Sequence, residues 1–385
     1  MSAEKILYIS NVSGKHFSYS FSGSAVNACH ALGYDFFAVA NRSASDPDDI
    51  KADEEKYDIK LFHIDLCRSP FSLKNIKAYR QLKKIIRDND IKYIHCNTPV
   101  GGILGRLAGK SCKVKRVIYQ AHGFHFYKGA PLINRILYYP TEKFLAHMTD
   151  AIITINRNDY ELAKEKMHPR NGGSIYYVPG VGINLAEYKE KPNAADMRAK
   201  YGIGEDDVII ISSGDLIERK NYKTAIKAVA ESGLANIKLC ICGKGPMLDE
   251  LQSYAEGLGV GDRVLFLGFC PDIKELLAES DIFLFTSKQE GLSRSLMEAM
   301  ASGLPCIAGK IRGNTDMITD GEDGFLCPPT DFAAFAEKIK LLANDRELRI
   351  KIGSAAENSV KKYDISSVTK ELVNIYSKEF KGAPQ

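Results

Sequence analysis

The run from Asp281 to Ala308 leaves a chain few ways to fold. Asp281-Ile-Phe-Leu-Phe285 is apolar, short enough for a buried strand and too short for a helix of its own. A polar turn follows, with Glu290-Gly291 at its tip. Leu292, Leu296, Met297 and Met300 then recur at helical spacing, with Ser293 placed to cap the helix. Gly303 and Pro305 stop that helix, and Pro305-Cys-Ile-Ala308 reads as the next buried strand. Strand, turn, helix and strand in this order predict an α/β fold.

The same run carries chemistry. Free N–H groups of Gly291, Leu292 and Ser293, taken as the opening of the helix, make an anion site suited to a diphosphate. Gly291 lets the backbone come close to a ligand. Glu298, within the helix, is placed to accept hydrogen bonds from ribose hydroxyls, and Glu290, on the loop, from hydroxyls of a sugar. Either glutamate alone reads as a solvated charge. Two of them eight positions apart in this frame point to a sugar nucleotide.

Length and composition set the limits. A chain of 385 residues predicts two domains, each with its own core. Nine cysteines without a C-x-x-C pair, two of them alternating in the apolar strand at Cys240 and Cys242, predict reduced thiols in a cytoplasmic protein and no zinc site. No signal-peptide pattern and no apolar run of membrane-spanning length is present. Net charge is only +4, but Arg68 to Arg116 holds 13 Lys or Arg against Asp88 and Asp90. Together with the aromatic and basic run from His125 to Tyr139, this stretch predicts a patch for an anionic leaflet. The alternative is a solvated pair of helices packed on their own domain. No nucleic-acid readout motif accompanies the charge, so nucleic acid is not expected as a partner.

In chain order, Ile6–Ile9 is the first expected strand. The following loop holds Gly14 and Gly23 but no G-x-G-x-x-G, which argues against a dinucleotide dehydrogenase. Ser24–Leu32 reads as helix, 35–40 as strand, and 41–57 as an acidic loop. Strands are expected at 59–64, 91–95, 117–119, 150–155 and 175–178, with helices at 73–89, 101–109 and 156–166. Ile76, Tyr79, Leu82, Ile85 and Ile86 form the apolar face expected of the basic helix. Pro179-Gly-Val-Gly-Ile-Asn184 breaks the pattern and marks an interdomain hinge. Beyond it, strands are expected at 208–212, 238–242 and 264–270, and the tail from Ile365 is helical.

Glu290-x7-Glu298, with Gly291-Leu292 after the first Glu and Glu-Ala-Met-Ala-x-Gly-x-Pro around the second, resembles the retaining glycosyltransferases of the family-four group. The resemblance covers nearly the whole chain and is nearest to bacterial enzymes of capsule, exopolysaccharide and lipid-linked oligosaccharide assembly. It implies the GT-B fold, two Rossmann-like domains with the active site in the cleft between them. Here these are residues 1–183 on the acceptor side and 184–364 on the nucleotide-sugar side, with helix 365–385 crossing back to the first.

It also implies roles. His122, in Gln120-Ala-His-Gly, matches the histidine set against the donor sugar, and Gly14 lies in the loop near sugar and acceptor. Lys220 matches the lysine that neutralises the donor β-phosphate. Asp215 stands where the family has Arg, and Arg219 is placed to restore the charge, although alone it reads as a solvated side chain. Gly243-Lys-Gly245-Pro lies at the nucleotide end, and Phe269 and Cys270 where backbone groups read the base. Glu290 would hold the donor sugar and Glu298 the ribose.

The expected reaction is metal-independent and retaining, with no cofactor. The donor is expected to be UDP-linked, with an N-acetylhexosamine as the sugar, and the acceptor a glycan or a polyprenyl-diphosphate-linked glycan. The only Asp-x-Asp string, Asp46-Pro-Asp48, falls in the acidic segment. Two rival readings are a sugar-nucleotide 2-epimerase on the same fold and a non-catalytic binding subunit of a partner transferase. The first would need no acceptor, and the Glu-x7-Glu arrangement argues against it; the second has only Asp215 in its support, with His122, Lys220 and both glutamates against it.

Overall fold

The computed structural model describes residues 3–12, 14–127, 129–189 and 197–381. The chain divides into two compact units, Met1–Gly182 with Ile365–Gln385, and Ile183–Asp364.

The first unit is built on seven parallel strands: β1 (Lys5–Ile9), β2 (Asp35–Ala40), β3 (Ile59–His63), β4 (Tyr93–Asn97), β5 (Arg116–Ala121), β6 (Ala151–Thr154) and β7 (Ser174–Tyr177). They lie in the order β3-β2-β1-β4-β5-β6-β7. Alternation along each strand sends its side chains to two cores. Leu7 and Ile9 join one, under the helices Lys74–Asp88 and Pro99–Cys112, while Ile6 and Tyr8 join the other. That second core is closed by helices Tyr19–Ala31 and Ile365–Lys381. The latter helix is fixed by polar contacts as well. Tyr376 Oη lies 2.6 Å from His95 Nδ1, Tyr93 Oη donates to Phe380 O, and Tyr176 Oη to Glu379 Oε1.

The second unit has six parallel strands: β8 (Val208–Ser213), β9 (Ile237–Cys242), β10 (Val264–Gly268), β11 (Ile282–Phe285), β12 (Cys306–Gly309) and β13 (Phe325–Cys327). Their order is β10-β9-β8-β11-β12-β13, again with a core on each face. In both sheets the strand order reverses direction once, between β1 and β4 and between β8 and β11. The connections diverge there and leave a crevice at the carboxyl ends of the strands, where open α/β sheets bind ligands.

Several local expectations need correction. Residues 47–57 are a helix, not a loop. Asp46 caps it by accepting from Asp49 N, Asp49 returns the bond to Asp46 N, and Pro47 sits at the first helical position. The segment had no apolar period because only Asp53 of this helix is buried, and Asp53 accepts from Phe17 N at 2.6 Å. The first helix begins at Tyr19, five residues before Ser24, and passes through Gly23, where a Cβ would lie 2.8 Å from the Tyr19 ring. On helix Lys74–Asp88 the buried stripe is Asn75, Ala78, Leu82 and Ile86, which leaves Ile76 exposed. β4 is displaced two residues from the expected strand, so His95 is fully buried in mid-strand and Asn97 reaches the carboxyl end.

Candidate active site

At the β8–β11 crevice the loop after β11 meets the loop after β8. Lys288 N donates to Arg219 O, and Asn221 Nδ2 donates to Thr286 O. These bonds place three donors around one carboxylate oxygen. Glu290 Oε1 accepts from Arg219 Nη1 at 2.8 Å, Lys220 Nζ at 2.9 Å and Ser287 Oγ at 2.7 Å. Oε2 stays outside this convergence. The side chains of Lys220 and Glu290 are 11% and 12% exposed, so water screens them little. Two cations and one carboxylate give a net charge of +1, an arrangement that has room for an anion. Arg219 keeps 39% of its side chain exposed and is at the same time bound to Glu290 and to Gln289 O.

Glycines give this crevice its shape. Gly214 has φ +149°, and a Cβ there would meet Lys220 Cε at 2.9 Å, so the lysine lies against bare backbone. A Cβ on Gly243 would stand 1.9 Å from Gly214 O, and one on Gly245 would stand 2.4 Å from Leu216 O. The turns after β8 and β9 are thus in backbone contact. Phe269 is exposed beside them, and Cys270 is half-buried with its thiol on Gly268 O. Asp215 is exposed.

The helix after Glu290 runs from Arg294 to Ala301. Ser293 caps it by accepting from Leu296 N, while Gly291 and Leu292 belong to the turn before it and do not open it. Glu298, one turn in, accepts from Arg294 Nε at 2.8 Å and is 12% exposed. Burial first, and then the charge of this carboxylate, push the nearby Tyr188 phenol above its ordinary range. Glu290 and Glu298 therefore hold separate cationic partners. Two positions that the sequence did not single out complete the loop. Arg312 Nε donates to Glu290 O, and Gly313, at φ +80°, lies where a Cβ would be 2.3 Å from Gly291 O. Their only signal in sequence is an Arg-Gly pair just beyond β12.

In the first unit, β5 delivers His122 to the β1–β4 crevice. His122 Nε2 lies 2.9 Å from Asn97 Oδ1, at the end of β4, and its ring packs on Phe21 at 4.6 Å. With the amide so oriented, Nε2 carries the hydrogen and Nδ1 keeps its lone pair. Desolvation pushes the His122 pKa down to about 4. The ring is thus neutral at physiological pH. Gly14 is exposed, and its carbonyl accepts from Ser45 Oγ. His16 is also exposed and faces Asp49 and Asp53. His125 stacks on Tyr138. Neither Asp of the Asp46-Pro-Asp48 string reaches this crevice's histidine in the hydrogen bonds it makes; Asp46 is spent on helix capping.

A family model described as glycosyl transferases group 1 matches residues 193–359, and one described as glycosyl transferase 4-like matches residues 5–156. A putative glycosyltransferase of Bacillus subtilis (strain 168), EpsD, is 40% identical over 322 residues, covering 82% of this chain and 84% of its own. The UDP-Gal:alpha-D-GlcNAc-diphosphoundecaprenol alpha-1,3-galactosyltransferase of Escherichia coli is 26% identical over 317 residues, 81% of each chain. Among solved structures, Anabaena HepE in complex with UDP and glucose superposes with a TM-score of 0.80 at 19% identity, over 97% of this chain and 100% of that one. The sucrose-phosphate synthase of Thermosynechococcus elongatus gives 0.82 at 18% identity, over 98% and 100%. At such identities the structural likeness speaks for the fold, which is GT-B.

Proposed function

The chain belongs to the group 1 glycosyl transferases, and on that footing we propose that it moves a sugar from a UDP-linked donor to a lipid-linked or polysaccharide acceptor. The observation that carries this reading is the convergence of Arg219, Lys220 and Ser287 on one oxygen of Glu290. Cations already gathered and net positive, one of them largely buried, are what a departing diphosphate needs, because preorganised charge costs no reorganisation when the bond breaks. Lys220 takes the β-phosphate, with Arg219 beside it in place of the arginine that Asp215 replaces. Oε2 of Glu290 is the acceptor for donor-sugar hydroxyls, and Glu298 for the ribose.

The donor class is supported by a neighbour of the same fold that holds UDP and glucose and by a relative whose name specifies a UDP-galactose donor. That relative's acceptor is a diphosphoundecaprenol-linked sugar, which favours a polyprenyl-linked acceptor here. An N-acetylhexosamine remains the expected donor sugar. In the reaction the glycosidic C–O bond to the β-phosphate breaks and the acceptor hydroxyl attacks from the same face. The leaving phosphate takes the hydroxyl proton, so the anomeric configuration is retained. His122, neutral with its one N–H on Asn97, accepts a hydrogen bond from the sugar at Nδ1 and does not act as a cation. The diphosphate charge is met by Lys220 and Arg219, so the step runs without a metal ion or cofactor.

The acceptor is proposed to arrive on an anionic bilayer. No helix among the described residues is long and apolar enough to cross a membrane. Helix Leu132–Ala146 nonetheless exposes Leu132, Ile133, Ile136, Leu137 and Phe144, and buries only Glu142, Leu145 and Ala146. Phe71, Leu73 and Ile76, at the start of helix Lys74–Asp88, are exposed too. Both helices follow strands of one parallel sheet, so their first turns lie at its carboxyl edge, the edge that carries His122. Arg80, Lys83, Lys84 and Arg87 line a groove of the second helix. Apolar side chains at a ligand-bearing edge, with cations further along one of the helices, suit an anionic leaflet in chemistry and charge.

The test is a thermal-shift screen of the protein with UDP-, GDP-, ADP- and dTDP-sugars in EDTA. At about a hundredfold excess over Kd a bound donor stabilises the fold by about 2.7 kcal/mol. A shift with UDP-sugars followed by turnover with retention is the expected result. No shift with any donor would move a binding-subunit role to the front.

A further inference from the structure

Cysteine sulfurs gather where β9 and β10 end, on one face of the second sheet. Cys240 and Cys242 alternate along β9 and are buried, and Cys270, just past β10, packs half-buried on the same core. A buried cysteine in a strand is by itself an ordinary small apolar side chain. What sets this group apart is the pairing of Cys242 with Cys270. In the parallel register Cys242 stands opposite Gly268. Gly268 O accepts from Gly243 N at 2.7 Å, and the Cys270 thiol lies 3.5 Å from the same carbonyl. One carbonyl thus holds both the residue after Cys242 and the sulfur of Cys270, and the two thiols are neighbours.

They are not equivalent. Cys242 is 4% exposed, and burial first, then the Cys270 thiol beside it, push its ionisation well above the ordinary range. Cys270 follows Phe269, which is 69% exposed, so solvent reaches the turn that carries it. The thiolate is the nucleophile, so Cys270 is the sulfur that meets a soluble oxidant and Cys242 the one that resolves the product. We propose that Cys242 and Cys270 form a redox-active dithiol, which hydrogen peroxide converts to a disulfide that lowers affinity for the donor nucleotide. In the first step the Cys270 sulfur attacks one peroxide oxygen. The O–O bond breaks, an S–O bond forms, and the departing hydroxide leaves as water with the thiol proton. In the second step the Cys242 sulfur attacks the Cys270 sulfenic acid. The S–S bond forms, the S–O bond breaks, and a second water leaves with the Cys242 proton. The thiols lose two electrons in all, and the peroxide is reduced to water.

The fold decides which side of the pair moves. A disulfide holds its Cα atoms within about 7 Å of each other and fixes the torsion about the sulfurs. Cys242 has no freedom to meet this, because Gly243 lies against the turn after β8, where a Cβ would stand 1.9 Å from Gly214 O. The other side is looser. The register of β10 shifts between Phe266 and Gly268, and Gly268, at φ +70°, has only Lys244 Cε at 4.0 Å where a Cβ would stand. The bond therefore draws in the turn of Phe269 and Cys270. The effect on affinity rests on the glycosyl-transfer reading, in which the backbone of these two residues reads the base.

The experiment uses the full chain, hydrogen peroxide and UDP. Reduced protein is treated with peroxide and alkylated, and a non-reducing peptide map by mass spectrometry is set beside calorimetric titration with UDP. The expected result is a Cys242–Cys270 link, a loss of UDP affinity of about fivefold or more, and reversal of both by dithiothreitol. Cys242→Ala removes the resolving sulfur. Its reduced form should bind UDP within twofold of wild type, and dimedone should trap its Cys270 as the sulfenic acid. If the wild-type map holds no Cys242–Cys270 link, or joins either sulfur to Cys67 or Cys112 instead, the dithiol is overturned whatever the variant does. A correct link that leaves UDP affinity within twofold overturns the control of affinity. If reduced wild-type protein binds no UDP, the parent reading falls and the affinity effect with it, while the peptide map still decides the dithiol.

Discussion

Replacing Lys220 by Met separates two things the lysine could be doing. Its ammonium is 2.9 Å from Glu290 Oε1 and its side chain is 11% exposed, resting over the Phe285 ring at 4.9 Å. At an effective dielectric of about 20, a unit charge about 4 Å away is worth roughly 4 kcal/mol. Glu290 competes for the same ammonium, so the net gain from a phosphate is nearer that of one charged hydrogen bond, about 1.5–3 kcal/mol. At about 1.4 kcal/mol per tenfold, Lys220→Met should weaken UDP binding by roughly 10- to 100-fold. Methionine keeps much of the side-chain volume, and Arg219 and Ser287 still satisfy Glu290, so the fold should hold. Glu290→Gln gives the opposite sign: the cluster goes from net +1 to net +2, UDP binds as well or better, and turnover falls. Isothermal titration with UDP in EDTA, with a urea midpoint for each variant, decides it. A Lys220→Met affinity within twofold of wild type would refute the phosphate role and leave the lysine as a mere counter-ion. Equal weakening in both variants would show that the cluster only shapes the loop.

Stability should fall in mild acid. His95 is pushed down to about 3 and His122 to about 4, chiefly by desolvation, against an ordinary value of 6.5. Between those values the unfolded chain binds protons that the folded one excludes, so stability is full above pH 6.5 and is lost as pH drops toward the folded values. Urea unfolding at pH 7 and pH 5 should differ by up to about 4 kcal/mol for the two rings together; an NMR titration of His122 centred near 6.5 would refute this. Gly313→Ala forces its Cβ onto Gly291 O, so it should displace the Glu290 turn and raise the donor KM about tenfold or more, with a small change in urea midpoint. An unchanged KM would show that the turn yields freely. Ile133→Asp with Ile136→Asp should abolish sedimentation with phosphatidylglycerol vesicles while leaving UDP affinity intact; co-sedimentation of the double variant at the wild-type level would count against the exposed face as the docking surface.

The α/β class and the family were legible in the sequence because they rest on local pattern. Asp281–Ala308 specifies its own strand, cap and helix within one short span, and Ser293 takes the capping role that its position implied. What stayed hidden was long-range. Arg219 looked solvated because its partner lies 71 positions away, and Ser287 carries no signal until β8 and β11 are neighbours. Glu142 reads as an ordinary helix charge, and only the fold pairs it with the buried Arg106 of another helix. The helix at 47–57 was missed for the converse reason: helices with almost no buried face leave no period to find, and here capping alone marked it. The exposed apolar residues of helix Leu132–Ala146 lie between these cases. Composition around 125–139 pointed to them, but packing decided that five large apolar side chains of one helix remain uncovered.

The first unit is discontinuous in the chain. Its sheet is finished by β7, yet the buried His95 and the second core wait for Tyr376 and its helix, which are made only after the whole second unit. On a ribosome the order of completion is therefore inverted: the contiguous second unit can close while the first still shows an open apolar face to chaperones and proteases. A chain stalled or cut before residue 365 would carry a finished second unit and an unfinished first, and quality control would meet it as a half-made protein.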